Sequence, residues 1–286
     1  MERCFTHRED GSVACENVEK EVAKITSDIS MMLWHGPPCS GKSSLAFQYA
    51  FDVVRAATRT DLSSDEPLPF VVLVCHESVK GKAGFVPIQP CDSCQTPVKS
   101  GRDVLHWERI RIKYLKNAAE LCHFACSFHL LGGRCIALIV DDFDLFWDDS
   151  PPIPEVYRCL AFLKDTVEYM QHAHGEGQVV VVSSTSAFSK QERHRMRRWF
   201  PLLLELVPHA HANTFAMQEE LPSPQPPASL ILQDWAAYMP HFPVPYRIIY
   251  AFEPNSSMVH PHFIFTPRSP TKACLSFRHP PQDIAH

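Results

Sequence analysis

Eight consecutive residues, Gly36-Pro37-Pro38-Cys39-Ser40-Gly41-Lys42-Ser43, have the G-x-x-x-x-G-K-S spacing of a loop that wraps phosphate. The glycines let the backbone come close, so that successive N–H groups converge on one anion without a Cβ in the way. At that spacing Lys42 reaches toward β- and γ-phosphates, and the Ser43 hydroxyl is a ligand for Mg²⁺. Ser44 closes the phosphate-binding run at the head of a helix, whose dipole turns its positive end toward the phosphates. The chemistry these residues predict is binding of a nucleoside triphosphate, taken here as ATP with Mg²⁺.

A second element agrees with the first. Ile136-Ala137-Leu138-Ile139-Val140-Asp141-Asp142 is an apolar run that ends in acid, the Walker B pattern, in which a buried strand fixes a carboxylate for Mg²⁺. Asp141 is the expected metal ligand and Asp142 the second choice, while Asp142 and Asp144 also read as the start of a polar loop. Hydrolysis further requires a group to orient or deprotonate water. Glu77, directly after the apolar run 70–75, is the candidate for that role. Ser183-Ser184-Thr185 is expected either to sense the γ-phosphate or to form a plain turn or helix cap.

Other residues carry weaker signals. Cys91 and Cys94 have zinc-ligand spacing, with Cys75 and His76 as further ligands, yet one C-x-x-C without a second pair also reads as small buried side chains. The run 190–200 mixes arginines with Trp199 and Phe200, suited to phosphate-backbone contact and base stacking, or to a solvated helix face. Phe47-Gln48-Tyr49-Ala50 has the Phe-x-x-Ala shape of a docking motif, but its place in the helix after the phosphate loop predicts core packing.

The positioning elements follow from periodicity. The chain reads as an apolar strand at 31–34, the loop, a helix to about 58, and a strand at 70–75, which together make a βαβ unit. Residues 109–115 alternate basic and apolar, predicting a strand with one wet face. A helix is expected over 117–131, a buried strand within the apolar run 135–146, an amphipathic helix over 155–174 and a strand over 178–182. Strands alternating with helices imply an α/β fold with a doubly wound, mostly parallel sheet. Beyond residue 201 the extended runs shorten, and 246–252 with 262–266 predict an antiparallel C-terminal hairpin at the sheet edge. Residues 1–30 form a lead-in, 31–268 the nucleotide-binding core, and 269–286 a tail. The core carries an insert at 79–102 and a proline-rich loop at 222–227.

Composition narrows the classes. The 286-residue chain is 45% hydrophobic, enough for a sizeable core, and its net charge of −5 offers no global attraction to polyanions. The eleven cysteines, with a polar and charged stretch 1–10 where a secretory leader would stand, predict a reducing compartment. No apolar stretch approaches the roughly 20 residues of a membrane span, so no membrane association is expected.

The order of these elements resembles the RecA-type recombinase paralogues. Within them it is similar to the small ATPase-like partner of the SWIM-domain zinc protein in Shu-type complexes. The resemblance rests on the phosphate loop, on 105–114 leading into Ala119-Glu120-Leu121-Cys122, on the Walker B strand, on the 179–183 strand, and on Tyr246-Arg247-Ile248-Ile249 with Phe263-Ile264-Phe265. It implies a RecA-like ATP-binding core and a nuclear mediator of homologous-recombination DNA repair and meiosis. The implied partners are a SWIM-domain zinc protein, a recombinase or its paralogues, and single-stranded DNA reached directly or through the complex. Ser183-Ser184-Thr185 offers no glutamine where recombinases couple nucleotide to DNA, so turnover of ATP is expected to be weak. Two rival readings are a small-molecule kinase with the same loop and a scaffold with a vestigial nucleotide site.

Overall fold

A computed structural model describes residues 29–60, 67–80, 104–147, 152–208, 214–220, 247–251 and 264–265. Cys91, Cys94, most of the 79–102 insert, the 222–227 loop and the terminal tail lie outside them.

The described residues form a nine-stranded sheet of order β3-β2-β4-β5-β1-β6-β7-β8-β9. Its parallel part comprises β1 (Met31–Gly36), β2 (Phe70–His76), β3 (Ile110–Leu115), β4 (Cys135–Val140), β5 (Gln178–Ser184) and β6 (Leu202–Pro208). Three antiparallel strands extend it, β7 (Thr214–Glu219), β8 (Arg247–Ala251) and β9 (Ile264–Phe265). The doubly wound, mostly parallel sheet with an antiparallel C-terminal edge expected from the sequence is therefore the one observed. Every residue of β1 and of β4 is buried. That is why these strands read as unbroken apolar runs, since helices cover both faces of a parallel sheet.

One face is covered by α1 (Lys42–Thr60), which buries Leu45, Ala46, Tyr49, Ala50 and Val54 at helical spacing against Trp34, Leu73 and Val182. A short helix α2 (Val104–Trp107) leans on it, with Trp107 stacked on Phe47 at 4.9 Å between ring centroids. Phe47-Gln48-Tyr49-Ala50 is thus core packing. The other face carries α3 (Ala118–Cys126) and α4 (Ile153–His174). In α4 the residues Val156, Cys159, Leu160, Leu163, Val167 and Met170 are fully buried, and truncating one such leucine to alanine costs about 2–5 kcal/mol. Gly175 ends α4 in the left-handed region at φ 72°, its N–H donating to Gln171 O at 2.9 Å.

Several boundaries differ from the sequence reading, each for a local reason. The apolar run 135–146 is not one strand. Asp142 adopts φ 48°, and residues Phe143–Phe146 coil into a 3-10 turn that buries Phe143 and Phe146 under α4. The helix expected over 117–131 stops at Cys126, where Ser127 bends the chain into a second 3-10 turn. In β3 the run Arg111, Ile112 and Lys113 is exposed throughout rather than alternately, because β3 is the outermost strand and has a neighbour on one side only. No expectation covered β7, whose Thr214–Glu219 is too short and mixed to show a period. No helix among the described residues is long and apolar enough to cross a membrane.

Candidate functional site

The strand order decides what meets at the carboxyl edge of the sheet. β5 lies between β1 and β4, so the phosphate loop after β1 and the acids after β4 flank the end of β5. Ligands of open α/β sheets bind at such carboxyl edges.

Gly36 ends β1 fully buried. A Cβ placed there would stand 2.6 Å from the Cβ of Leu206 on β6 and 3.0 Å from Ser40 Oγ, so only glycine fits beneath the loop. Pro37 is half-buried and Pro38 exposed. Cys39 at φ 59° and Gly41 at φ 76° take left-handed conformations that curl the loop back toward α1. Ser40 and Ser44 are buried, and the Leu45 N–H donates to Gly41 O at 2.9 Å, which starts the helical ladder at the end of the loop. Lys42 is 7% exposed and donates from Nζ to the carbonyls of Gly36 at 3.2 Å and Pro37 at 3.0 Å. The lysine therefore spans the mouth of its own loop.

Asp141 follows β4 and is 4% exposed. Its N–H donates to Val74 O at 2.9 Å, and the Ser43 hydroxyl donates to its carboxyl group. Oδ1 of Asp141 has no hydrogen-bond partner. Burial first, and the charge of Asp142 second, push the Asp141 carboxyl up to about 7, against the pull of Ser43 and Lys42. Burial also raises Asp142, with Lys42 and His76 opposing it and Asp144 adding to it. A buried carboxylate oxygen with no partner beside a serine hydroxyl is a donor set for a hard divalent cation, and Mg²⁺ fits it.

Glu77 stands where the sequence placed it, one residue past β2, at the head of a 3-10 turn. Its carboxylate is 4.0 Å from Lys116 Nζ, and both side chains are largely exposed. His76 fixes this corner: Nε2 donates to Lys116 O at 2.7 Å and Nδ1 accepts from Ser78 N at 3.2 Å. Cys75 is buried, and desolvation followed by the charges of Asp141 and Asp142 pushes its thiol up to about 12. Among the described residues, no group of three or more acidic, histidine or cysteine side chains is arranged to hold a metal.

The sequence reading missed two arrangements. Asp144 leaves the polar loop to tie the end of β5, accepting from Ser183 Oγ at 3.0 Å and from Ser184 N at 2.8 Å. Thr185 N then donates to Gly36 O at 3.0 Å, and the buried Thr185 Oγ1 has no partner. The second is a buried ionic cluster. Helix α5 (Lys190–Met196) opens with a capping box between Ser189 and Glu192, and sends Arg193 inward to Glu220 at 3.0 Å. His35 Nε2 meets the same carboxylate at 2.7 Å. Arg197 donates to the backbone carbonyl of Glu220, and Arg193 to those of Thr185 and Phe188. Two arginines of the basic run are thus 6% and 3% exposed and serve the interior. Arg198 lies over the Trp199 ring at 3.7 Å, and Lys190 and Arg195 remain exposed. No signal in the sequence marks Glu220 or His35 as partners of this helix.

No family model matches the chain, and no curated protein matches it. Among solved structures it is similar to the RadB recombinase, at 15% identity and TM-score 0.47, over 67% of this chain and 80% of that one. It is also similar to flagellar accessory protein FlaH from Methanocaldococcus jannaschii, at 9% identity and TM-score 0.47, over 90% of this chain and 98% of that one. A third likeness is to a DnaB-like replicative helicase, at 10% identity and TM-score 0.45, over 81% of this chain and 58% of that one. These likenesses assign no role to any residue.

Proposed function

We propose that this chain is a RecA-like binder of Mg²⁺-ATP that acts as an assembly factor in homologous-recombination DNA repair. One observation carries the nucleotide half of the reading: the unpartnered Asp141 Oδ1 lies beside Ser43 at the head of the phosphate-loop helix. Gly36 to Ser44 would cradle the phosphates, with Lys42 turning from its two carbonyls to the β- and γ-phosphates. Ser43 and Asp141 would hold Mg²⁺, which when bound neutralises phosphate charge. Thr185 is placed to sense the terminal phosphate, since its backbone is bonded to Gly36 and its hydroxyl is free. Glu77 is the candidate base, and its exposed pairing with Lys116 favours weak turnover.

The recombination half rests on the resemblance of short elements described above. It supports a SWIM-domain zinc protein and a recombinase as partners, with single-stranded DNA contacted directly or through them, in the nucleus and in meiosis. Mechanistically, ordering of the loop by ATP would favour the partner-bound state.

The test is equilibrium binding of ATP at millimolar Mg²⁺ by the purified chain, wild type against Lys42→Ala and Asp141→Asn, followed by turnover with and without single-stranded DNA. Binding that falls about tenfold or more in each variant is expected, since charge-assisted contacts are lost. Absence of binding by the wild type would leave a scaffold. Phosphate transfer to a small acceptor would make it a kinase.

A further inference from the structure

Helices α3 and α4 pack side by side on the sheet face opposite α1, and three thiols collect at that contact. Cys122 and Cys126 stand one turn apart on α3, and Cys159 faces them from α4. Cys159 is completely buried, Cys122 is half-buried and Cys126 is exposed. The thiols of Cys122 and Cys159 share a hydrogen bond, so the two sulfurs are already neighbours across the helix pair.

Their surroundings separate them from the other buried cysteines. Cys75 and Cys135 sit in the strands, where burial first of all pushes each thiol up to about 12. At Cys122 the hydrogen bond from Cys159 outweighs burial, and with the Arg158 charge it brings the thiol down to about 7. The proton meanwhile stays with Cys159, whose thiol is raised by that same hydrogen bond and by burial. A nucleophilic sulfur open to solvent, backed by a protonated sulfur that solvent does not reach, is the arrangement of an attacking and a resolving thiol.

We propose that Cys122 and Cys159 are a peroxide-sensitive pair that closes into a disulfide joining α3 to α4. The Cys122 thiolate attacks one oxygen of hydrogen peroxide, the O–O bond breaks, and hydroxide leaves as Cys122 becomes a sulfenic acid. The Cys159 thiol then gives up its proton, and its sulfur attacks the Cys122 sulfur. The S–O bond breaks and water departs. Two thiols and one peroxide yield one disulfide and two waters, and a dithiol reductant reverses the change. The pair lies away from the phosphate loop and is independent of the nucleotide reading.

The test treats the full chain, freed of reductant, with a few equivalents of hydrogen peroxide and maps its peptides without reduction. The expected product is a peptide pair joined through Cys122 and Cys159, lighter than the two thiols by about 2 Da for the two hydrogens lost. The link persists in Cys126→Ser and disappears in Cys122→Ser, a half-buried position where the substitution is mild. Alkylation of Cys122 by iodoacetamide in the untreated protein should reach half its maximal rate near pH 7. A link from Cys122 to any other cysteine, oxidation of Cys122 to sulfinic acid without a link, or no oxidation of Cys122 overturns the proposal.

Discussion

His35 and Glu220 stand 185 positions apart in the chain and meet at 2.7 Å between Nε2 and Oε2 in the interior. His35 immediately precedes Gly36, and Glu220 immediately follows β7, so the contact fastens the antiparallel extension to the strand that launches the phosphate loop. Arg193 closes the cluster from α5.

The first prediction concerns pH. Burial pushes the Glu220 carboxyl up, but the hydrogen bonds and charges of His35 and Arg193 prevail and hold it down at about 2. Its folded value lies below its unfolded one, so its stabilisation is present above about pH 4.5 and is lost as pH falls toward 2. In urea titrations across that window, the wild type should lose stability more steeply than Glu220→Gln. At neutral pH the variant should be less stable by about 2 kcal/mol or more, because Arg193 is left buried without its carboxylate.

Gly36→Ala should damage fold and loop together. The added Cβ meets the Leu206 Cβ at 2.6 Å, and overpacking of this kind costs about 1–3 kcal/mol. Because the clash is with a Cβ, Leu206→Ala should not restore stability in the double variant. Thermal denaturation of the single and double variants checks both statements.

Thr185→Val removes a buried hydroxyl that has no partner, so stability should hold or rise slightly. If Thr185 senses the terminal phosphate, the variant should lose preference for ATP over ADP while keeping ADP binding. Competition binding of the two nucleotides measures that ratio, and an unchanged ratio removes Thr185 from the site.

Arg193→Ala and Arg195→Ala should part ways. Arg193 is buried on Glu220 and two backbone carbonyls, so its loss should cost about 3 kcal/mol or more. Arg195 is exposed, and its loss should change stability by less than about 0.5 kcal/mol. Of the two, only Arg195→Ala can report cleanly on single-stranded DNA, through a weaker salt-sensitive affinity measured by fluorescence anisotropy.

The legible parts of the sequence were those governed by local rules. Met31–Gly36, Cys135–Val140 and Gln178–Ser184 announce themselves because both faces of a parallel strand are buried. The loop from Gly36 to Ser43 announces itself because phosphate binding fixes residue types at fixed spacing. What was not legible depends on tertiary pairing. Asp144 looks like any loop acid until β5 arrives to offer Ser183 Oγ and Ser184 N. Arg193 and Arg197 look like surface charge, since period alone does not say which face of a seven-residue helix turns inward. The break at Asp142 was hidden because Phe143 and Phe146 are as apolar as the strand before them, and only the left-handed φ of Asp142 separates the two.

The Lys42 ammonium already has two backbone oxygens as ligands. Nucleotide entry is therefore an exchange reaction rather than the filling of a waiting site: each arriving phosphate must displace the Gly36 and Pro37 carbonyls. Weakly basic anions lose that competition while a polyphosphate wins it, so the loop carries its own filter against the common small anions of the cell.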